Sequence, residues 1–489
     1  MINERLRPTF RLLSDSFLGK IVDEAYELLA KHGVYVENAN ALRIFLDGGA
    51  HEDVLSKRVL IPRTLVERAL ASSPRVIAVA DSPGKLSHEV GGDHVHFDPG
   101  SAALRIFDHE TQSERKPVTR DLVRFHSLVD RLENFHFQSS GLISTDVPDE
   151  IADAYRIFIA LQYCSKPIVT GLFLAESYKP MLEMLAAVRG GTQSLREKPL
   201  AIFDACPSPP LKWSNLTAQS VIDCALAGIP SEFVSMPLTG ATSPVTIAGA
   251  LVQLTAENLS GIVLAQLTRA GTPVIFGGSP ASFDMRTANA PMGAMETMMI
   301  DSAYSQIGKS LGLPTHAYMG LSDSKCVDTQ AGLETGMGAV LAALAGINVV
   351  SGGGMMNFES TQSLEKLAID NEICGMAYRL IQGIAQRDEP IALNLFDDLD
   401  PETGFFTHPH TLQWFQVEHR YPKLMDRGNY EQWEDAGKAS LADRASAQVK
   451  ELLGTEDKAV VSEDLRKELE SIMSSYGKRF GLAKLPTLE

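Results

Sequence analysis

Cysteine is scarce. The five thiols, Cys164, Cys206, Cys224, Cys326 and Cys374, make an odd set with no CxxC spacing. That argues against a disulfide framework and against a thiolate zinc site. Long basic runs are missing too: 44 Lys and Arg face 61 Asp and Glu, and the net charge is −17. A nucleic-acid backbone is therefore not an expected partner. The acidic balance mildly favours cationic ligands and otherwise serves solubility. No uncharged apolar run reaches the ~18 residues a membrane span requires. The start, MINERLRPTF, carries charge where a secretory signal would be apolar. The expectation is a soluble cytoplasmic protein without membrane contact, with a homo-oligomer left open. Three signatures are also absent. Without GxGxxG an open dinucleotide-binding sheet is disfavoured. Without the GK[ST] ending there is no P-loop, and without GxSxG no serine-hydrolase elbow.

Hydrophobic residues make up 44% of the 489, enough for a large core. The stretch from Thr272 to Gly354 organises the chain. Three apolar runs, TPVIFGG, THAYMG and INVV, each end in a polar or glycine-rich loop, with helical segments between. That is the grammar of a βα repeat. Before it, residues 15 to 47 read as two helices, the first stopped by Gly33. IPRTLVERALASSP reads as a third. RVIAVA, DHVHF and ALRIF, separated by Pro-Gly and Gly-Gly turns, read as a small β-meander. Strands are then expected near Phe135–Leu142, Pro167–Leu174, Leu200–Ala205, Glu232–Met236, Pro273–Phe276, His316–Met319 and Asn348–Val350. Phe405–Thr407 is a short eighth candidate. Eight βα units suit a closed (β/α)₈ TIM barrel, with chemistry at the strand C-termini. The expected divisions are an N-terminal helical and meander part (1–118), the barrel (119–410) and a helical C-terminal region (411–489) packed outside it.

Several loop residues have the chemistry of a binding site. Phe283 stands beside Asp284 in SPASFDMRTANAPMG, and Phe97 lies in the HFDPG turn. Aromatic faces with a nearby carboxylate are what a quaternary ammonium needs, since it has no N–H to donate. Asp323 and Lys325 directly follow a strand. Lys325 or Arg286 could hold a substrate carboxylate, and Lys325 could also form a Schiff base. Gly352, Gly353 and Gly354 let a bulky group approach the backbone, and Met355, Met356 and Phe358 form a soft lip behind them. Each of these patterns also fits a structural role: a core phenylalanine, an ion pair, a tight turn. The pairs His94/His96 and His408/His410 share a strand face at i, i+2 and raise the question of a metal. His408, before Pro409, reads rather as a hydrogen-bonding group.

VIFGGSPASFDMRTANAPMGAMETMMIDSAYSQIGKSLGLP, SDSKCVDTQAGLE, SGGGMMNFEST with EKLAIDNEI, and FFTHPHTLQWF together resemble the trimethylamine methyltransferase superfamily. The resemblance covers most of the chain. It implies a (β/α)₈ barrel that passes a methyl group from an amine to the Co(I) of a separate corrinoid (cobalamin) protein, with no cofactor held tightly by this chain. The archaeal trimethylamine enzymes carry pyrrolysine, and no position here is that residue. The chain is therefore similar to the pyrrolysine-free branch, whose members demethylate quaternary amines such as glycine betaine. On that reading Phe97, Phe283 and Phe358 would wall the cation, with Asp284 or Asp323 as counter-charge. Lys325, Arg286, Asn357 or His408 would meet the betaine carboxylate, and Gly352, Gly353, Gly354 and Met355 would face the corrinoid. The competing readings are a lysine-dependent barrel lyase using Lys325 and a non-catalytic betaine-binding protein.

Overall fold

A computed structural model describes residues 6–397, 399–454 and 458–487. Eight parallel strands position everything else. They are β1 (His96–Pro99), β2 (Gln138–Ser139), β3 (Ile168–Gly171), β4 (Ala201–Ala205), β5 (Ser231–Ser235), β6 (Val274–Gly278), β7 (His316–Tyr318) and β8 (Val349–Gly353). Their residues are buried almost throughout, as expected for parallel strands covered on both faces. β2 through β6 form one sheet in chain order, and β7, β8 and β1 form another. Single parallel bridges, Phe97 to Phe135 and Phe276 to Thr315, continue the pairing between them. Pairing thus runs from β1 through β8 and returns to β1.

The junction between β6 and β7 has little strand pairing, and side chains fill in. Asn258 donates to the Gly277 carbonyl (2.8 Å) and accepts from the Gly277 N–H (2.9 Å). Tyr304 Oη lies 2.9 Å from the Gly278 carbonyl and 2.8 Å from that of His316. Buried backbone groups that lack a ladder partner are satisfied in this way.

Two strand expectations change. HFDP, placed in the meander, is the parallel strand β1, pairing with β8. Its apolar/polar alternation resembles a half-exposed hairpin strand, yet all four residues are buried. Phe405–Thr407 is a turn, with Phe406 87% exposed. It leads directly into the helix Pro409–Glu418, whose N-cap is His408. The rest of the meander divides into two antiparallel hairpins, Val76–Ala80 with Ser87–Gly91 and Arg105–Asp108 with Ser113–Arg115. The first lies against the strand N-termini. Its Ile77, Val79 and Val90 form an apolar cluster with Phe137, Val169, Ile202, Ile275 and Val349.

The helix Ile247–Thr268 is apolar and long enough to cross a membrane by length and composition, but it is mostly buried within the protein. The N-terminal helices Asp15–Lys31, Ala39–Asp47 and Arg63–Ser72 pack on it. Gly33 (φ +61°) follows the first of them and donates to the Leu28 carbonyl, as its sequence predicts. The helix Leu441–Leu453 packs on Leu364–Ile381, and Glu463–Lys478 on Tyr178–Arg189.

Candidate active site

Each strand places alternate side chains on one face. In β1, Phe97 turns toward the Tyr378 ring of the helix Leu364–Ile381 (5.3 Å between centroids). Asp98 turns the other way and accepts a hydrogen bond from Ser351 Oγ of β8 at 2.7 Å. Ser351 Oγ is 3.0 Å from His316 Nε2 of β7. His316 Nδ1 is 3.3 Å from Glu232 Oε1 of β5, both fully buried. Asp204 of β4 faces Glu232 in turn. The series passes across β6 because β6 has Gly277 there. A Cβ on Gly277 would sit 3.0 Å from His316 Cβ and Nδ1.

Burial sets the protons of this polar layer. It drives Glu232 well above the ordinary carboxylate range, and the neighbouring Asp204 and Asp98 reinforce the effect. Burial likewise raises Asp98 and pulls His316 down to about 3. Glu232 therefore keeps its proton and His316 is neutral. The polarity is then consistent from end to end: Ser351 donates to Asp98, so its oxygen accepts from His316 Nε2–H, which leaves Nδ1 as a lone pair facing the protonated Glu232.

Above this layer, at the strand C-termini, lies a cavity of about 210 Å³. Asp204, Tyr318, Glu359, Arg156 and Phe173 line it. Burial pushes Asp204 up to about 7, with Glu232 and Arg156 limiting the rise. Burial also pushes Glu359 up to about 7, opposed by the Ser279 hydroxyl. The cavity therefore holds two carboxyls near mid-titration at neutral pH. Arg156 lies on the helix Ala152–Tyr163 and pairs with Asp153 through Nη2 (3.1 Å). Its guanidinium stacks 4.9 Å from the Phe173 ring, and its buried Nε has no hydrogen-bond partner among the described residues. Asp153 Oδ2 also accepts from the backbone N–H groups of Phe173 and Leu174, fixing the loop after β3 to the same helix.

Glu359 reaches the cavity from a strained loop. Asn357, Phe358 and Glu359 are consecutive non-glycine residues in the left-handed region, with φ of +51°, +56° and +64°. Such backbone costs energy at each position and persists where the surroundings enforce it. The enforcement is visible: Glu114, on the hairpin after β1, accepts from Asn357 Nδ2 (3.0 Å) and from Thr361 Oγ1 (2.6 Å).

A family model described as "Trimethylamine methyltransferase (MTTB)" matches residues 2–479. The chain belongs to this family. Trimethylamine methyltransferase MttB of Desulfitobacterium hafniense is 32% identical over 471 residues, covering 96% of this chain and 95% of that protein. A glycine betaine methyltransferase from another strain of that species is 29% identical, covering 98% and 99%. MttB of Methanosarcina barkeri is 31% identical, covering 93% and 92%. Among solved structures, the hydroxylamine complex of MtmB aligns with a TM-score of 0.53 at 11% identity, covering 92% of this chain and 90% of that one. The Methanosarcina barkeri monomethylamine methyltransferase MtmB aligns at 0.51 and 10% identity, covering 97% and 89%. Those two likenesses concern the fold.

Within this MTTB-family chain, the residues singled out from sequence fall in several places. Asp284, Asp323, Lys325 and Phe358 do come together, around a second pocket that shares no lining residue with the cavity. There Lys325 Nζ donates to the Asp323 carbonyl (2.7 Å) and lies 4.1 Å from the Phe358 ring centroid. Asp323 accepts from the backbone N–H groups of Met292 and Gly293. Asp284 is held by Arg286, which lowers it to about 2. Phe283 is half-buried on the same loop. Phe97 is core, Asn357 anchors the strained loop, and His408 caps a helix by accepting from the His410 N–H (3.1 Å). Gly352, Gly353, Gly354 and Met355 are buried. Added Cβ atoms on the three glycines would meet Leu321, Phe135 and Gln362 at 2.9 Å or less, so the run provides close packing and no open face.

The lining residues Asp204, Glu359, Arg156, Tyr318 and Phe173 were missed. Asp204 in AIFDA and Glu232 in SEFVS carry one signal, a lone carboxylate inside a strand that is otherwise uncharged and buried.

Proposed function

We propose that this chain is a (β/α)₈-barrel methyltransferase that moves a methyl group from a betaine, a quaternary amine carrying a carboxylate, to the Co(I) of a separate corrinoid protein. The returning order of parallel pairings and the likeness to MtmB support the closed barrel. Family membership and the trimethylamine and glycine betaine relatives support the chemistry. The observation that carries the substrate class is that one cavity is lined by both carboxyls and a guanidinium. Asp204, Glu359 and the Tyr318 ring offer carboxylate and π surface for a cation that donates no hydrogen bond. Arg156 offers a guanidinium with an orphaned Nε for a carboxylate.

The corrinoid partner supplies a strong nucleophile and takes the methyl group. This chain's part is positioning: it fixes both ends of the zwitterion and screens the nitrogen from water, leaving one methyl toward the opening. Phe173 and Met236 line the cavity and are 52% and 40% exposed, an apolar rim suited to a docked carrier. Among the described residues no lysine lines the cavity, so the lyase reading gains no support from it.

The test incubates the protein with glycine betaine and a reduced corrinoid protein and follows methylcobalamin and the demethylated amine. The expected result is a one-to-one yield of both. Arg156→Lys is expected to raise KM for the betaine while sparing tetramethylammonium, which has no carboxylate. Absence of methyl transfer from any betaine would refute the proposal. Equal effects of Arg156→Lys on the two substrates would refute the role given to Arg156.

A further inference from the structure

At the opposite end of the strands from the cavity, three histidines converge. His96 opens β1, His136 lies just before β2, and His88 projects from the hairpin strand Ser87–Gly91 beneath them. Neither HxH pair is involved as a pair. His94 is exposed and lies 3.3 Å from the Glu89 carboxylate, while His408 and His410 sit on the C-terminal helix Pro409–Glu418 and its cap. One nitrogen each of His88, His96 and His136 lies within 4.8 Å of the other two.

The hydrogen bonds determine which nitrogens are available. His96 Nε2 is 2.9 Å from the Glu89 backbone carbonyl, which can only accept, so Nε2 carries hydrogen and Nδ1 carries the lone pair. This is the outer-shell arrangement that orients a metal-binding imidazole. His96 Nδ1 then faces His136 Nδ1 at 2.9 Å, and the Tyr378 hydroxyl lies 3.2 Å from that same His136 nitrogen. Two ring nitrogens this close need a proton or a cation between them. Tetrahedral zinc with Zn–N bonds of about 2.0–2.1 Å separates its ligand nitrogens by about 3.4 Å, so the pair, now at hydrogen-bond distance, parts by about 0.5 Å to admit the ion. His88 is half-buried on a two-stranded hairpin and offers the third nitrogen, within 4.8 Å of the other two. The rings are also held in place. Phe137 lies 5.4 Å from both His88 and His96, and Tyr378 stacks on His136 at 5.1 Å.

We propose that His88, His96 and His136 bind a divalent first-row transition ion of the zinc class, which clamps the hairpin to the strand N-termini. Three neutral imidazoles suit such an ion and suit calcium or magnesium poorly. His88 leaves one side open to solvent, so water can take the fourth position. The site is independent of the methyl-transfer reading: it contains no cavity residue and lies at the other end of the strands.

The test titrates the full-length protein, stripped by chelator dialysis, with Co²⁺ as a spectroscopic probe, then displaces it with Zn²⁺. The expected result is one Co²⁺ per chain with a visible d–d band, displaced by Zn²⁺, and a Tm several degrees higher in the Zn²⁺ form. His88→Gln is expected to weaken binding about tenfold or more, whereas His94→Gln leaves it unchanged. Should His136→Gln fail to fold, His88→Gln still decides, because it lies on the surface hairpin. No saturable binding by the wild type, or equal binding by His88→Gln, overturns the proposal and leaves a hydrogen-bonded imidazole cluster.

Discussion

Asp204 and Glu359 stand at the centre of the cavity chemistry because burial moves both from ordinary values of 3.8 and 4.5 to about 7. A cationic ligand favours their ionised forms, so ligand binding releases protons. If one such ionisation governs binding, affinity for a quaternary ammonium rises about tenfold between pH 6 and pH 8. Calorimetric titration in two buffers of different ionisation enthalpy checks both the trend and the proton release. Stability without ligand goes the other way. The native chain holds these protons more tightly than the unfolded chain, so the contribution of these two groups to stability is greatest below the ordinary carboxylate range and is lost as pH rises toward 7. Asp204→Asn and Glu359→Gln keep the shape and remove the ionisation. Each is expected to flatten the fall of Tm with pH and to weaken ammonium binding, by about ten- to a hundredfold for cavity charges of this kind. A variant with unchanged affinity would remove that carboxyl from the cation site. The sequence did not expose these residues because Asp204 is a single acid in an apolar strand and Glu359 a single acid in a loop whose glycines and aromatics are more conspicuous. Asp204 lies on β4 and Glu359 on the loop after β8, and the two meet only where the folded strands bring their C-terminal ends around one cavity. The residues it did expose, such as Asp284 and Lys325, were conspicuous through loop composition. The structure gathers several of them around the second pocket, where ion pairs and backbone groups already occupy them.

At the level of elements, glycine decides how closely strands and their side chains approach. Gly277 is the clearest position, because its missing Cβ is what lets His316 lean over β6 toward Glu232. A Cβ there would also sit 2.9 Å from the Phe233 carbonyl. Gly277→Ala is expected to cost about 1–3 kcal/mol, the range for overpacking a close-packed core. It should also part His316 from Glu232, which a changed His316 imidazole resonance in NMR would reveal. Gly353→Ala meets the Phe135 ring at 2.5 Å and is expected to destabilise by a similar amount, read by urea unfolding. An open-loop role for Gly353 predicts no loss, so this variant separates packing from docking. Element order was largely legible, since seven of the strands follow apolar runs ahead of helical periodicity. β1 was not, because four residues ending at Pro99 carry too little pattern to distinguish a buried parallel strand from a hairpin edge.

For the molecule as a whole, the N-terminal segment is a cover as well as an appendage. The helices Asp15–Lys31, Ala39–Asp47 and Arg63–Ser72 lie on Ile247–Thr268, whose buried face includes Leu251, Leu254, Leu259, Ile262, Val263 and Leu264. Specific contacts tie the cover down: Ser72 Oγ donates to Gln266 Oε1 at 3.0 Å, and Gly48 packs against Leu267. Each large apolar side chain returned to water costs about 1.5–3 kcal/mol, and marginally stable proteins have only about 5–15 kcal/mol in total. Exposing even part of this helix therefore consumes much of the available stability. Removing residues 1–72 is expected to give a protein that aggregates, or that loses its single cooperative thermal transition, without deleting any residue of the cavity. Size-exclusion chromatography with differential scanning calorimetry reads both outcomes. A truncated chain that stays soluble and melts cooperatively at the wild-type temperature would show that Ile247–Thr268 keeps its burial through the neighbouring helices Asn215–Ala227 and Met295–Ser310 alone.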